Sequence, residues 1–139
     1  MSNVEWRFSD NKVDKDILRK FESQNKFEFP QAYVDLVLKS NGATPSKKKF
    51  YTQDKTEHIF NYLLDWSDKQ KGNILSTYHS FSEEHEKSIV PFANDPFGNL
   101  ICFNFLSKAK APSVVYWDHE LDIFHMVRDS FNDFINTLK

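Results

Sequence analysis

Ser88-Ile89-Val90-Pro91-Phe92-Ala93-Asn94-Asp95-Pro96-Phe97-Gly98-Asn99-Leu100-Ile101-Cys102-Phe103-Asn104-Phe105 is the stretch on which the reading of the fold turns. Two runs rich in β-branched and aromatic residues, Ile89 to Ala93 and Leu100 to Phe105, flank a turn that carries Pro96 and Gly98. That pattern reads as a β-hairpin. Pro91 has no N–H to give to a ladder, so it is expected at a sheet edge or at an irregularity. Downstream, Ser113-Val114-Val115-Tyr116-Trp117 and Ile123-Phe124-His125-Met126-Val127 enclose the polar turn Asp118 to Asp122, which predicts a second hairpin.

Upstream the periodicity changes from two to about four. Asp14 is placed to cap a helix by accepting an orphan amide of its first turn, and Val13 and Leu18 have the spacing of a hydrophobic staple. Ile17, Leu18 and Phe21 then form the expected apolar face, with Lys15, Arg19, Lys20 and Glu22 opposite, and Asn25-Lys26 ends the helix. Pro30 opens a second helix carrying Tyr33, Leu36 and Val37, and Asn41-Gly42 closes it. Ala43 to Lys49 reads as a polar, basic loop, and Phe50-Tyr51 and Ile59 to Leu64 as strands. Asn73 to Phe81 fits a third helix with Ile74, Leu75, Tyr78 and Phe81 on one side; the acidic Glu83-Glu84-His85-Glu86 continues it or follows as a loop. A last helix, capped by Asp129 or Ser130, carries Phe131, Phe134, Ile135 and Leu138. Helices first, a β-rich middle and a closing helix predict an α+β fold, a mainly antiparallel sheet with helices packed around it. With no repeat or composition break, residues 1–139 are expected to form one domain, its core about 13–138.

Composition narrows the function. The formal net charge is −2 and the only basic run is Lys47-Lys48-Lys49, which argues against direct nucleic-acid binding by counterion release. No apolar stretch approaches the roughly 20 residues that span a bilayer, and no membrane role is expected. The opening Met1 to Arg7 lacks the apolar core of a signal peptide, and the single cysteine, Cys102, suits a reducing compartment, so a cytoplasmic protein is expected.

A search for chemistry returns little. His119, Glu120 and His125 resemble a ligand cluster on paper, but the two histidines lie six positions apart on a turn and a strand, unlike the helical spacing of zinc proteases. His79 and His85 share that separation. Cys102 sits among Leu100, Ile101 and Phe103, where a small core residue is expected and not a nucleophile. Gly42, Gly72 and Gly98 are isolated, so no phosphate-cradling loop is present, and no serine lies in a nucleophile elbow. No catalytic residue, metal ligand or cofactor is therefore assigned. Two acidic clusters remain: Glu83, Glu84 and Glu86, and Asp118, Glu120 and Asp122. Each reads either as a solvated turn or as a patch that steers a basic partner, since exposed charge acts chiefly on association rate. These six carboxylates are the candidate partner-binding residues. Trp6, Trp66 and Tyr116 are either surface anchors or core.

The order of motifs resembles the SUKH superfamily, also described as the yeast cell-wall-assembly regulator family. The resemblance runs from about Val13 to Leu138 through Phe29-Pro30-Gln31-Ala32-Tyr33, Ser40-Asn41-Gly42, Ile89 to Ala93, Gly98 to Phe103, Val114 to Glu120 and Asp129 to Ile135. Phe29 stands where the family usually has Leu, the turn Asp95 to Gly98 is poorer in Gly than is common, and Ala43 replaces a frequent second Gly. The resemblance implies an α+β domain without a catalytic motif. Many bacterial members are immunity proteins that bind a cognate polymorphic toxin, often a nuclease, whereas fungal members are regulatory scaffolds. It therefore implies a protein toxin as partner, with the chain a monomer or weak dimer. A regulatory scaffold is the alternative, and an enzyme built on His119 and His125 is a third.

Overall fold

The computed structural model describes residues 4–9, 12–67, 73–106 and 111–139. Met1 to Asn3, Gly72 and part of the link ahead of Ser113 lie outside the described residues. In chain order the elements are β1 (Trp6–Arg7), α1 (Lys15–Asn25), α2 (Gln31–Ser40), β2 (Thr44–Pro45), β3 (Lys49–Tyr51), β4 (Glu57–Ile59), β5 (Tyr62–Leu63), α3 (Ile74–Ser82), β6 (Ile89–Asn94), β7 (Leu100–Asn104), β8 (Ser113–Asp118), β9 (Ile123–Arg128) and α4 (Phe131–Asn136). The α+β fold inferred from the sequence is the observed one.

Strands β5-β6-β7-β8-β9 form an antiparallel sheet in sequence order, as two tight hairpins require. Pro91 lies at an irregularity: its register with Cys102 gives way to Ala93 opposite Ile101, so a bulge absorbs the missing donor. On the outer side of β6, the short β5 pairs only with Ala93 and Asn94. The expected basic loop is partly ordered, since Thr44–Pro45 pairs with Trp6–Arg7. The run Ile59 to Leu64 is divided between β4 and β5, so it is not one strand.

The helix caps follow the sequence. Asp14, Asn73 and Ser130 each accept an amide of the first turn, and Gly42 takes φ +73 after α2. Alternation then sorts the strand residues onto two faces. Phe92, Ile101, Phe103, Val114, Tyr116 and Val127 point to an inner face packed by α1, α2 and α4. There Phe92 and Phe103 stack at 4.2 Å, and Tyr33 and Phe131 meet Phe103 edge-on or tilted at 5.0 and 5.7 Å. Trp66 and Tyr33, both fully buried, satisfy each other through a 2.9 Å bond from the indole N–H to the phenol oxygen. The opposite face holds a smaller cluster, Phe81 with Ile89, Cys102 and Val115, against which Leu100, Trp117, Phe124 and Met126 pack while remaining partly exposed.

Three residues depart from the helical-wheel expectation, one of them Leu75, which is exposed while Ile74, Tyr78 and Phe81 of the same helix are buried. Glu22 is buried: it accepts the Phe29 N–H at 2.7 Å and binds Arg19 at 2.7 Å, tying α1 to the link before α2. Ile17, expected in the core, is exposed instead.

Candidate functional site

Both hairpin turns emerge at the same end of the sheet, as the pairing of Leu100 with Trp117 and of Trp117 with Phe124 dictates. The β6–β7 turn is organised by Asp95, whose buried carboxylate accepts the amides of Phe97 and Asn99 on one oxygen and the Asn99 amide group and Tyr116 hydroxyl on the other, all within 2.7–2.9 Å. Burial alone would raise the Asp95 pKa; these donors outweigh it and hold the group below the usual carboxylate value. Asn99 then reaches the neighbouring turn, its side-chain oxygen 2.9 Å from the His119 amide and 2.6 Å from the His119 Nδ1. The two tips are thereby joined.

The β8–β9 turn uses its own carboxylates. Asp118 accepts the amides of Glu120 and Leu121 at 3.0 and 3.2 Å. Asp122, in the left-handed region at φ 52, accepts the Trp117 indole N–H at 2.7 Å and His85 Nε2 at 2.7 Å. His85 stacks on Phe81 with ring centres 4.1 Å apart, and its Nδ1 lies 2.9 Å from the Phe81 carbonyl. A carbonyl and a carboxylate can only accept, so making both bonds requires both ring nitrogens to carry a proton. The pKa agrees: burial pulls His85 down, but the bonds to Asp122 and to the Phe81 carbonyl outweigh it and the net shift is upward. Asp122 is lowered by the same His85 bond and by Trp117.

This contact decides how the six candidate carboxylates lie. Glu83, Glu84 and Glu86 flank His85 just after α3, and Asp118, Glu120 and Asp122 form the β8–β9 turn, so the His85–Asp122 bond makes two stretches of chain into one acidic region. All six are at least partly exposed. Asp118 and Asp122 are also structural, and the four glutamates are not tied into the turn in that way. The same end carries apolar side chains that the sequence reading did not single out: Phe97 is 71% exposed and Leu121 66%, with Ile123 beside them in sequence. A large apolar residue at the centre of a polar turn has no core to enter, and that signal was available in Pro96-Phe97-Gly98 and Glu120-Leu121-Asp122. Of the proposed aromatic anchors, Trp66 and Tyr116 are buried and Trp6 packs on Phe60 at 5.6 Å. Trp117 is the partly exposed tryptophan at this end.

The alternative chemistry finds no assembled centre among the described residues. His119 engages Asn99, whereas His125 faces Asp54 at 3.9 Å, so the pair is not brought onto a common partner. His58 lies over Tyr116 at 4.0 Å and is lowered chiefly by burial. Complete burial pushes the Cys102 thiol up and keeps it protonated. No group of three or more His, Cys, Asp or Glu side chains among the described residues is arranged to hold a metal ion, and no helix among them is long and apolar enough to cross a membrane.

A SUKH family model, described as SMI1-KNR4 cell-wall, matches residues 15–135. The SPbeta prophage-derived uncharacterized protein YokK of Bacillus subtilis strain 168 is similar as well, with 24% identity over 144 residues that cover 87% of this chain and 72% of the relative.

Proposed function

The chain belongs to the SUKH family described as SMI1-KNR4 cell-wall, and on that premise we propose that it is a non-catalytic protein-binding module, an immunity protein that captures and neutralises a cognate toxin. It acts in the cytoplasm, as a monomer or weak dimer, and its docking face is the acidic end of the sheet. The observation that carries this reading is the His85–Asp122 contact, which joins Glu83, Glu84 and Glu86 to Asp118, Glu120 and Asp122 at the end of the sheet that also carries the exposed Phe97 and Leu121. Exposed apolar knobs sharing one end with acidic side chains are the ingredients of the apolar core and polar rim of protein interfaces. The negative rim selects a basic partner and speeds its approach. A nuclease fits that description, because surfaces that grip nucleic acid are strongly positive.

The test is to identify the product of the gene next to this one, co-express the two, and measure association kinetics on the purified pair. Replacing Glu83, Glu84 and Glu86 by Lys is expected to slow association about tenfold at low salt and to flatten its salt dependence, with the melting temperature unchanged. Rates indifferent to those changes would remove the acidic end from the interface. A chain that neither binds nor protects against a neighbouring toxin would end the immunity reading.

A further inference from the structure

We propose that the cleft between α3 and the outer face of β7 and β8 is a slot for one arginine side chain of the protein partner. This deepens the docking reading above and rests on it for the identity of the partner, though not for the chemistry of the slot. The cleft measures about 420 Å³, and Ser76, Ser80, Glu84, His85, Leu100 and Trp117 are among the residues that line it, a volume within the range of roughly 300–1,000 Å³ typical of specific small sites.

Its chemistry is asymmetric. Ser76, Ser80 and Glu84 recur every four residues, which sets them in a row along one side of α3 and the turn that follows it. Several donors around the cleft are already committed. The Ser76 hydroxyl donates to the Asn73 carbonyl at 3.2 Å, the Trp117 indole to Asp122, and the His85 ring nitrogens face the Phe81 carbonyl and Asp122. Ser76 therefore turns lone pairs outward, and Glu84 brings a carboxylate that makes no ion pair within the described chain. His85 also lines the cleft; its cation is paired with Asp122 and feels the Glu84 charge as well, so the three groups together leave one net negative charge at the slot. Acceptors with a net negative charge take a cation and reject an anion.

The opposite wall chooses among cations. Trp117 is held edge-on to Phe81 at 5.1 Å and stays partly exposed beside Leu100. An aromatic face beside a carboxylate suits a guanidinium, which is planar, weakly hydrated and able to stack while its N–H groups fork onto an acid. The lysine ammonium is compact and strongly hydrated, and stacks less well. Leu100 offers apolar cover for the arginine stem. An uncharged apolar side chain would leave Glu84 desolvated without a partner.

The experiment titrates the full chain with N-acetyl-arginine amide, N-acetyl-lysine amide and N-acetyl-leucine amide, following the Trp117 indole N–H and the amides of residues 76–84 by two-dimensional NMR. The arginine probe is expected to shift these signals saturably, the lysine probe to bind about threefold more weakly, and the leucine probe to leave them in place. Glu84→Gln, an exposed substitution that spares the fold, should weaken the arginine probe about threefold or more. Trp117→Phe should do the same in a chain whose circular dichroism is unchanged. A non-saturating response, equal shifts from leucine amide, or an indifferent Glu84→Gln would each overturn the slot. The two readings separate cleanly: a toxin bound equally by Glu84→Gln and the parent sinks the slot alone, and an arginine probe that binds where no toxin does sinks the docking role alone.

Discussion

The two faces of the five-stranded sheet are cut from the same strands, residue by residue in alternation, and they are finished differently. The inner face, with Phe92, Phe103 and Val114, is sealed by α1, α2 and α4. The outer face receives Phe81 from the end of α3, and Leu100, Trp117, Phe124 and Met126 keep part of their surface in water. Apolar area left in water contributes nothing to folding and is free to contribute to association. The difference separates a side of the sheet that holds the molecule together from a side that can be spent on a partner.

Substitutions can break that contrast, and the largest effect belongs to the sealed side. Phe103→Ala should cost about 3–5 kcal/mol in denaturant unfolding, because the surrounding rings cannot close over the lost volume. Next is Tyr116→Phe. It strips one donor from the buried Asp95 and should cost about 1.5–3 kcal/mol by the same measurement. On the open side Trp117→Ala removes a comparably large ring and should cost only about 1–2 kcal/mol, since much of that area is wet already. Equal costs for Phe103 and Trp117 would erase the distinction between the faces.

Histidines sharpen the comparison through pH. His85 holds its proton more tightly folded than unfolded, so its contribution is complete below the unfolded value of 6.5 and drains away as pH rises through the higher folded value. Asp122, depressed in the fold, contributes above 3.8 and loses that as pH falls through its folded value. The clamp is therefore strongest between these two values. His58 is depressed by burial, so its contribution is present above 6.5 and is lost as pH falls through the folded value. Thermal melts from about pH 5 to about pH 8 should show the gap between parent and His85→Asn narrowing as pH rises. For His58→Gln the gap should narrow as pH falls. The smallest effect is expected at Glu120→Lys, within about 0.5 kcal/mol of the parent stability, because that side chain lies exposed on the open end.

Short-range chemistry made most of this fold legible. Asp14, Asn73 and Ser130 each act within their own helical turn, and the hairpin registers follow from turns a few residues long. What escaped the sequence depends on partners far along the chain. Glu22 looked solvent-facing because the amide that buries it, that of Phe29, belongs to the next link. His85 and Asp122 stand 37 positions apart, and nothing in either segment announces their bond. The six carboxylates could thus be named from composition, while their union, and the aromatic cleft beside it, required the fold. Trp117 appeared in the sequence only as part of a strand motif; that its ring would be fastened by Asp122 yet left partly uncovered depended on how α3 crosses the sheet.

Gly98 carries a last consequence. It sits at φ +91, and a methyl group there would come within 3.2 Å of the His119 ring, the ring that Asn99 grips. A side chain at this position would be strained in itself and would also press on the His119 ring, which would have to shift to make room. The latch through Asn99 and His119 holds the tips that carry Phe97 and Leu121 in relation to each other, so on the docking reading proposed above little motional freedom would remain to be surrendered on contact. If the tips dock a partner as proposed, Gly98→Ala should shorten the lifetime of that complex, read as a faster dissociation rate, and if they do not, it should leave binding unchanged.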